Sequence, residues 1–203
     1  MKAEIIDSLK KSYNKYADVR EKSEIQPWKA DIRENFLNLL KREEKTTLLD
    51  LGAGPGRDSK FFNDNGLKIM AADFSREMVR LCKEKGLEAR ELDFLNLHLL
   101  NRKFDAVWAL NSLLHIDKKD LPRVLNEIKG VLNPDGIFFL GVYGGEDFEG
   151  IWEQDRYTPH RFFSFYTDEE IKDKVKKYFS IIDFKTMETG GRYHFQSLVL
   201  KNV

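Results

Sequence analysis

Cysteine is nearly absent from this chain. Its single thiol, Cys82, has no second cysteine to bridge, so an internal disulfide is excluded and a reducing, cytoplasmic setting is expected. An excess of charge of either sign is missing as well. Thirty-four Lys and Arg balance thirty-four Asp and Glu, leaving no net field to draw the protein to nucleic acid or to an anionic membrane. The densest basic run, Lys172, Lys174, Lys176 and Lys177, is interleaved with Asp168, Glu169, Glu170 and Asp173, the pattern of a solvated helix face. No apolar stretch approaches the length of a membrane span, and the N-terminal MKAEIIDSLKKSYNKYADVR lacks the apolar segment of a secretory signal. Histidine is scarce, with four residues at positions 98, 115, 160 and 194, and none belongs to a His/Cys/Asp set with metal-ligand spacing. Neither a Gly-x-Ser-x-Gly elbow nor a Gly-Lys-Ser/Thr phosphate loop occurs.

What is present suits one α/β domain. With 203 residues, 41% hydrophobic and 33% charged, the chain can bury a core without covalent staples. Ile5, Leu9, Tyr13 and Tyr16 fall at helical spacing, and Ile32, Phe36, Leu39 and Leu40 do the same after Pro27, predicting a helical cap over residues 1–45. From residue 46 short apolar runs alternate with helical segments, the mark of a parallel sheet. TTLLDL, LKIMAAD, LEAREL, FDAVWAL and IFFLGVY read as five strands. Helices are expected from Asp58 to Asn65, from Ser75 as N-cap to Lys85, and from Asp120 to Leu132, the last closed by the turn Asn133-Pro134-Asp135-Gly136. After an insert at 143–167, residues 168–203 hold a helix and two strands, FSIIDFKTM and FQSLVLK, joined across Gly190-Gly191 as an antiparallel hairpin. The expected fold is a doubly wound, mostly parallel seven-stranded sheet with helices on both faces and that hairpin at its C-terminal end.

The most informative segment is Leu49-Asp50-Leu51-Gly52-Ala53-Gly54-Pro55-Gly56-Arg57-Asp58, at the turn from the first strand into a helix. Glycines there let the backbone approach a ligand, and the helix start offers free N–H groups. A dinucleotide fingerprint, G-x-G-x-x-G, would need glycine at position 57, which is Arg57. Three more polar residues fall at strand ends: Asp73, Asp93 and Asn111. In an open parallel sheet these would converge with Asp50 on one crevice beyond the carboxyl ends of the strands.

The G-x-G-x-G spacing, with an acidic residue two places before it, resembles the nucleoside-binding loop of class I, Rossmann-like S-adenosylmethionine-dependent methyltransferases. The resemblance covers roughly residues 46–142, the expected cofactor-binding core. It implies that Asp50, Gly52, Ala53, Gly54, Gly56 and Arg57 lie against the methionine and ribose of S-adenosylmethionine. It further implies that Asp73 binds the ribose hydroxyls, Phe74 and Met78 flank the adenine, Asp93 and the Phe94 backbone meet its amino edge, and Asn111 lines the methionine end. Similar enzymes often close an N-terminal helix bearing tyrosines over the cofactor, which points to Tyr16 together with Tyr13.

Methyl transfer asks chiefly for an in-line nucleophile and exclusion of water, with a general base helping some acceptors. His115 and Tyr143 are the catalytic candidates at the methyl end, with Glu146 and Asp147 as further titratable groups. Seven of the 25 aromatics, Phe148, Trp152, Tyr157, Phe162, Phe163, Phe165 and Tyr166, crowd into residues 148–166. They are expected either to wall an acceptor pocket as a lid or to pack over the sheet edge. A small-molecule acceptor is expected, with protein and nucleic acid acceptors open. The competing readings are an NAD(P)-dependent Rossmann oxidoreductase and a non-catalytic S-adenosylmethionine-binding protein.

Overall fold

A computed structural model describes residues 3–202. The chain opens with α1 (Ala3–Lys15), α2 (Ala17–Lys22) and α3 (Pro27–Arg42). Leu9 and Tyr13 are the buried apolar residues of α1; Phe36, Leu37 and Leu40 are those of α3, which starts on Pro27 where a missing N–H costs nothing. The short α2 was not foreseen. It exists because the chain leaves helical geometry at Tyr16 (φ −105°, ψ 16°), its N-cap, and re-enters on a new axis.

The main sheet contains β1 (Thr47–Leu51), β2 (Lys68–Asp73), β3 (Glu88–Glu91), β4 (Phe104–Leu110), β5 (Leu132–Gly144), β8 (Ser180–Met187) and β9 (His194–Lys201). Its order is β3-β2-β1-β4-β5-β9-β8. Pairing is parallel from β3 through β5, and β9 runs antiparallel to both β5 and β8, so the expected fold is the observed one. The connecting helices are α4 (Arg57–Asp64), α5 (Arg76–Glu84), α6 (Leu121–Val131) and α7 (Asp168–Val175). Ser75 caps α5 by accepting from the Met78 N–H, and Thr167 with Glu170 closes a capping box on α7. Alternation along the strands divides the core. Leu48, Trp108 and Phe139 pack with α3 and α4 on one face, while Leu49, Val107 and Phe138 pack with α6 on the other.

One expectation needs correction. Asn133 to Gly136 does not simply separate helix from strand: it lies inside β5, where pairing with β4 jumps from Phe104–Leu132 to Ala106–Ile137 and Asp135 takes φ 58°. The turn signal is spent on a bulge that lets the ladder start one pair early. The insert at 143–167 has secondary structure of its own. It holds β6 (Phe148–Ile151) and β7 (Phe162–Phe165), an antiparallel pair separate from the main sheet.

Candidate functional site

A crevice of about 470 Å³ opens at the carboxyl ends of β1, β4 and β5. Its floor is the loop after β1, in which Gly52, Gly54 and Gly56 have φ of 78°, 54° and 82°, a region unfavourable to side chains. Space forbids them too. A Cβ on Gly52 would come within 2.3 Å of the Ser112 Cβ, and one on Gly56 within 2.7 Å of the Cys82 Sγ. The loop is therefore clasped between the segment after β4 and α5, and its upper side, with Asp50 and residues 52–55, faces the crevice.

Asp50 is buried, accepts a 2.6 Å hydrogen bond from Ser59 Oγ, and has its carboxyl pushed up to about 8, by burial first and then by neighbouring Asp58. Asp73, also buried, is raised to about 6 by burial, opposed by the N–H groups of Ser75 (2.8 Å) and Gly54 (2.9 Å) that donate to its two oxygens. Each oxygen keeps acceptor capacity beyond that bond. Asn111 lines the crevice at φ 55°, and its Oδ1 is buried with no partner among the described residues; strain and an unpaired acceptor together single out this position.

Other sequence-predicted residues fall beside the crevice. Phe74, Asp93 and Phe94, with Ile6 and Leu9 of α1, line a second cavity of about 30 Å³, and His115 borders both cavities. Asp93 also accepts from the Leu95 N–H. Met78 lines neither cavity: it is fully buried against Leu9, Tyr13 and Ala17. Tyr16 is likewise placed elsewhere. Because the helix breaks at that residue, its ring stacks on Tyr157 at 4.5 Å, and Tyr13, one turn earlier, faces the crevice. Arg57 donates to the carbonyls of Arg20 (2.5 Å) and Glu21, tying α2 to the glycine loop. Asp58 serves as acceptor for Arg33 (3.0 Å) and for the Trp108 indole N–H (3.1 Å).

At the far end, His115 is buried with both nitrogens engaged: Nδ1 lies 2.6 Å from the Phe162 carbonyl and Nε2 2.5 Å from Tyr13 Oη. A carbonyl can only accept, so Nδ1 carries the proton and Nε2 accepts from Tyr13. Burial and nearby Arg161 lower the imidazole to about 3, which keeps it neutral. Arg161 donates to Tyr13 Oη at 3.1 Å and is held by Asp155. Tyr143 lines the crevice with its phenol raised by burial, whereas Glu146 and Asp147 are spent on Arg192 and Lys118 outside it.

Of the seven insert aromatics, Phe163 alone lines the crevice. Phe148, Trp152, Phe163 and Phe165 form a ring cluster with Tyr193, centroids 4.5–5.8 Å apart, so packing over the sheet is what most of them do. Sequence reading missed Arg20, Lys29, Arg156 and Arg161, all of which line the crevice. Scattered through the chain, they carry no local signal, and only the topology gathers them.

Residues 49–140 match the family model described as a methyltransferase domain. A glycine/sarcosine N-methyltransferase of Halorhodospira halochloris is 28% identical over 137 residues, covering 63% of this chain and 50% of the relative. A malonyl-[acyl-carrier protein] O-methyltransferase of Hamiltonella defensa is 29% identical over 144 residues, covering 68% and 54%. The chain thus spans about half the length of these curated relatives. Among solved structures, the 1,6-didemethyltoxoflavin-N1-methyltransferase of Burkholderia thailandensis, with 1,6-didemethyltoxoflavin and S-adenosylhomocysteine bound, superposes with TM-score 0.74 at 19% identity, covering 98% of this chain and 89% of that one.

Proposed function

We propose that this chain is a class I, Rossmann-like methyltransferase that transfers a methyl group from S-adenosylmethionine to a small-molecule acceptor, a reading supported by the methyltransferase-domain match over residues 49–140 and by the shared fold. The observation that carries this reading is the glycine cradle, three positive-φ glycines with no room for a Cβ on Gly52 or Gly56, facing a crevice that Asn111, itself at positive φ, also lines. That is the fit an amino-acid and ribose moiety requires. We assign Asp73 to the ribose hydroxyls, Asp50 to the ammonium end, and Arg20 to the carboxylate end, since its Nη2 lies 3.9 Å from where a Gly54 Cβ would stand. Phe74, Asp93 and Phe94 receive the adenine. Met78 supports that pocket from beneath, and Tyr13 takes the covering position expected of Tyr16.

When bound, S-adenosylmethionine supplies an electrophilic methyl, so the protein's work is alignment and exclusion of water. Tyr143, kept protonated by burial, orients the acceptor by donating to it. His115 acts through Tyr13: the neutral imidazole accepts at Nε2 from Tyr13 Oη and so positions that hydroxyl at the crevice. We read residues 1–45 as the cap, 46–142 as the cofactor core, 143–167 as the acceptor-side cover and 168–203 as the closing hairpin unit of one domain, working in the cytoplasm, where the lone thiol stays reduced.

Calorimetry with S-adenosylhomocysteine and NADH tests the cofactor, and radiolabelled methyl transfer to a small-molecule panel tests the activity. Heat with the first ligand and none with NADH is expected; silence with S-adenosylhomocysteine rejects the proposal. Binding without transfer to any small molecule, protein or RNA offered would favour the non-catalytic reading.

A further inference from the structure

The charges lining the crevice are unequal, and three of the eight charged side chains are already engaged. Arg161 is held by Asp155 at 2.7 Å, Asp58 by Arg33 at 3.0 Å, and Arg57 by backbone carbonyls of α2. Arg20, Lys29 and Arg156 remain, and none has a carboxylate partner among the described residues. Glu24 and Asp50 are the other acids of the lining, and Asp50 holds its proton to about pH 8. Lys29 and Arg156 are electrostatic neighbours. Lys29 stands 5.7 Å from the ring centre of Tyr143, which places it, with neighbouring Arg156, on the Tyr143 side of the crevice and not at the adenine end.

Two groups register the resulting positive potential. Lys29 is lowered to about 8, by burial first and then by Arg20, with Asp58 opposing and Arg156 adding to it; Tyr157 is lowered by Arg20 and Arg156 against the effect of its burial. The cofactor does not neutralise this surplus. S-adenosylmethionine brings one carboxylate, one ammonium and one sulfonium, and so adds a positive charge. If Arg20 takes its carboxylate, Lys29 and Arg156 still face the crevice unmatched.

Resting on the cofactor reading above, we propose that the methyl acceptor is an anionic small molecule whose negative group is seated between Lys29 and Arg156. Its body lies against Leu110, Tyr143 and Phe163, the apolar part of the same wall. A charged acceptor held in this way gains charge-assisted hydrogen bonds from two cations that otherwise repel each other. A carboxylate and a phosphoryl group share this chemistry, and the size of the group decides between them.

The test uses protein saturated with S-adenosylhomocysteine, titrated calorimetrically with benzoate, its neutral analogue benzamide, and inorganic phosphate. At least one anion is expected to bind, with benzamide at least tenfold weaker. Lys29→Met and Arg156→Gln are each expected to weaken the anion tenfold or more while leaving S-adenosylhomocysteine affinity within about twofold. Arg156 is exposed, so Arg156→Gln keeps the test decisive should Lys29→Met lose its fold. Preference for benzoate assigns a carboxylate acceptor and preference for phosphate a phosphorylated one. Benzamide binding as well as benzoate, or no anion binding to the loaded wild type, overturns the proposal. So does a tenfold loss of S-adenosylhomocysteine affinity in both variants, which would hand these cations to the cofactor. Failure of the wild type to bind S-adenosylhomocysteine at all is a separate result and rejects the cofactor reading itself.

Discussion

Two buried carboxyls beneath the crevice, Asp50 and Asp73, do different work although burial raises both. Each has a folded-state value above its ordinary 3.8, so each contribution to stability is complete below about pH 4 and is lost as pH rises through about 6 for Asp73 and about 8 for Asp50. The lowered carboxylates Asp105, Asp155 and Asp168 act below this window. Stability should therefore decline between pH 5.5 and 8, and Asp50→Asn, which keeps an acceptor for Ser59, should flatten that decline; thermal melts across the range check it. Affinity for S-adenosylhomocysteine should move oppositely, rising toward pH 8 as Asp50 becomes available to an ammonium, and Asp50→Asn should remove the rise. At the other carboxyl, Asp73→Ala should weaken S-adenosylhomocysteine by about 1.5–3 kcal/mol, the range for hydrogen bonds to a charged group. Unchanged affinity in a folded Asp73→Ala protein would remove Asp73 from the ribose site. Asp50, Asp73 and the glycines were legible in the sequence because strand ends and a tight turn are local properties. Tyr16 was not, because a helical step of three assumes a helix that continues, and this one stops.

Among the elements, the β6–β7 pair and α2 are two that the sequence concealed. FFSF and FEGI are short and ten residues apart (β6 ends at Ile151, β7 begins at Phe162), with no two-residue turn to announce a hairpin, and α2 is too short for a period to show. Their tethers yield opposite expectations. Trp152 packs half-buried among Phe148, Phe163, Phe165 and Tyr193, so Trp152→Ala should cost about 3 kcal/mol of stability, the low end for large aromatic truncations, while calorimetry shows unchanged S-adenosylhomocysteine affinity. Loss of affinity without loss of stability would restore a pocket-wall role. Arg57→Ala should do the reverse. Releasing the carbonyls of Arg20 and Glu21 frees α2, so amide exchange over residues 17–26 should quicken and S-adenosylhomocysteine bind less tightly, with little change in melting temperature. If exchange there is unaltered, the tie is incidental.

For the molecule as a whole, the strands of the parallel part of the main sheet and the placement of their connecting helices followed from alternating apolar runs because a parallel sheet buried on both faces leaves that imprint wherever it occurs. The gathering of Arg20, Lys29, Arg156 and Arg161 on one opening left none, since it depends on which loops the winding brings together. A ligand that bridges the halves of such a sheet should stabilise all of it. S-adenosylhomocysteine at a hundred times its Kd should raise the melting temperature by about 5–10 °C, from roughly 2.7 kcal/mol of linkage spread over a domain of this size. An unshifted melt would contradict a site built across β1, β2 and β4. The sole thiol gives the same question a time axis. Cys82 lies beneath the glycine loop, donates to the Gly54 carbonyl at 3.4 Å, and is pushed up to about 12 by burial, so the closed protein offers an alkylating reagent almost no thiolate. Modification must wait for the loop and α5 to part, which makes the labelling rate of one atom a clock for how often the cofactor cradle comes open.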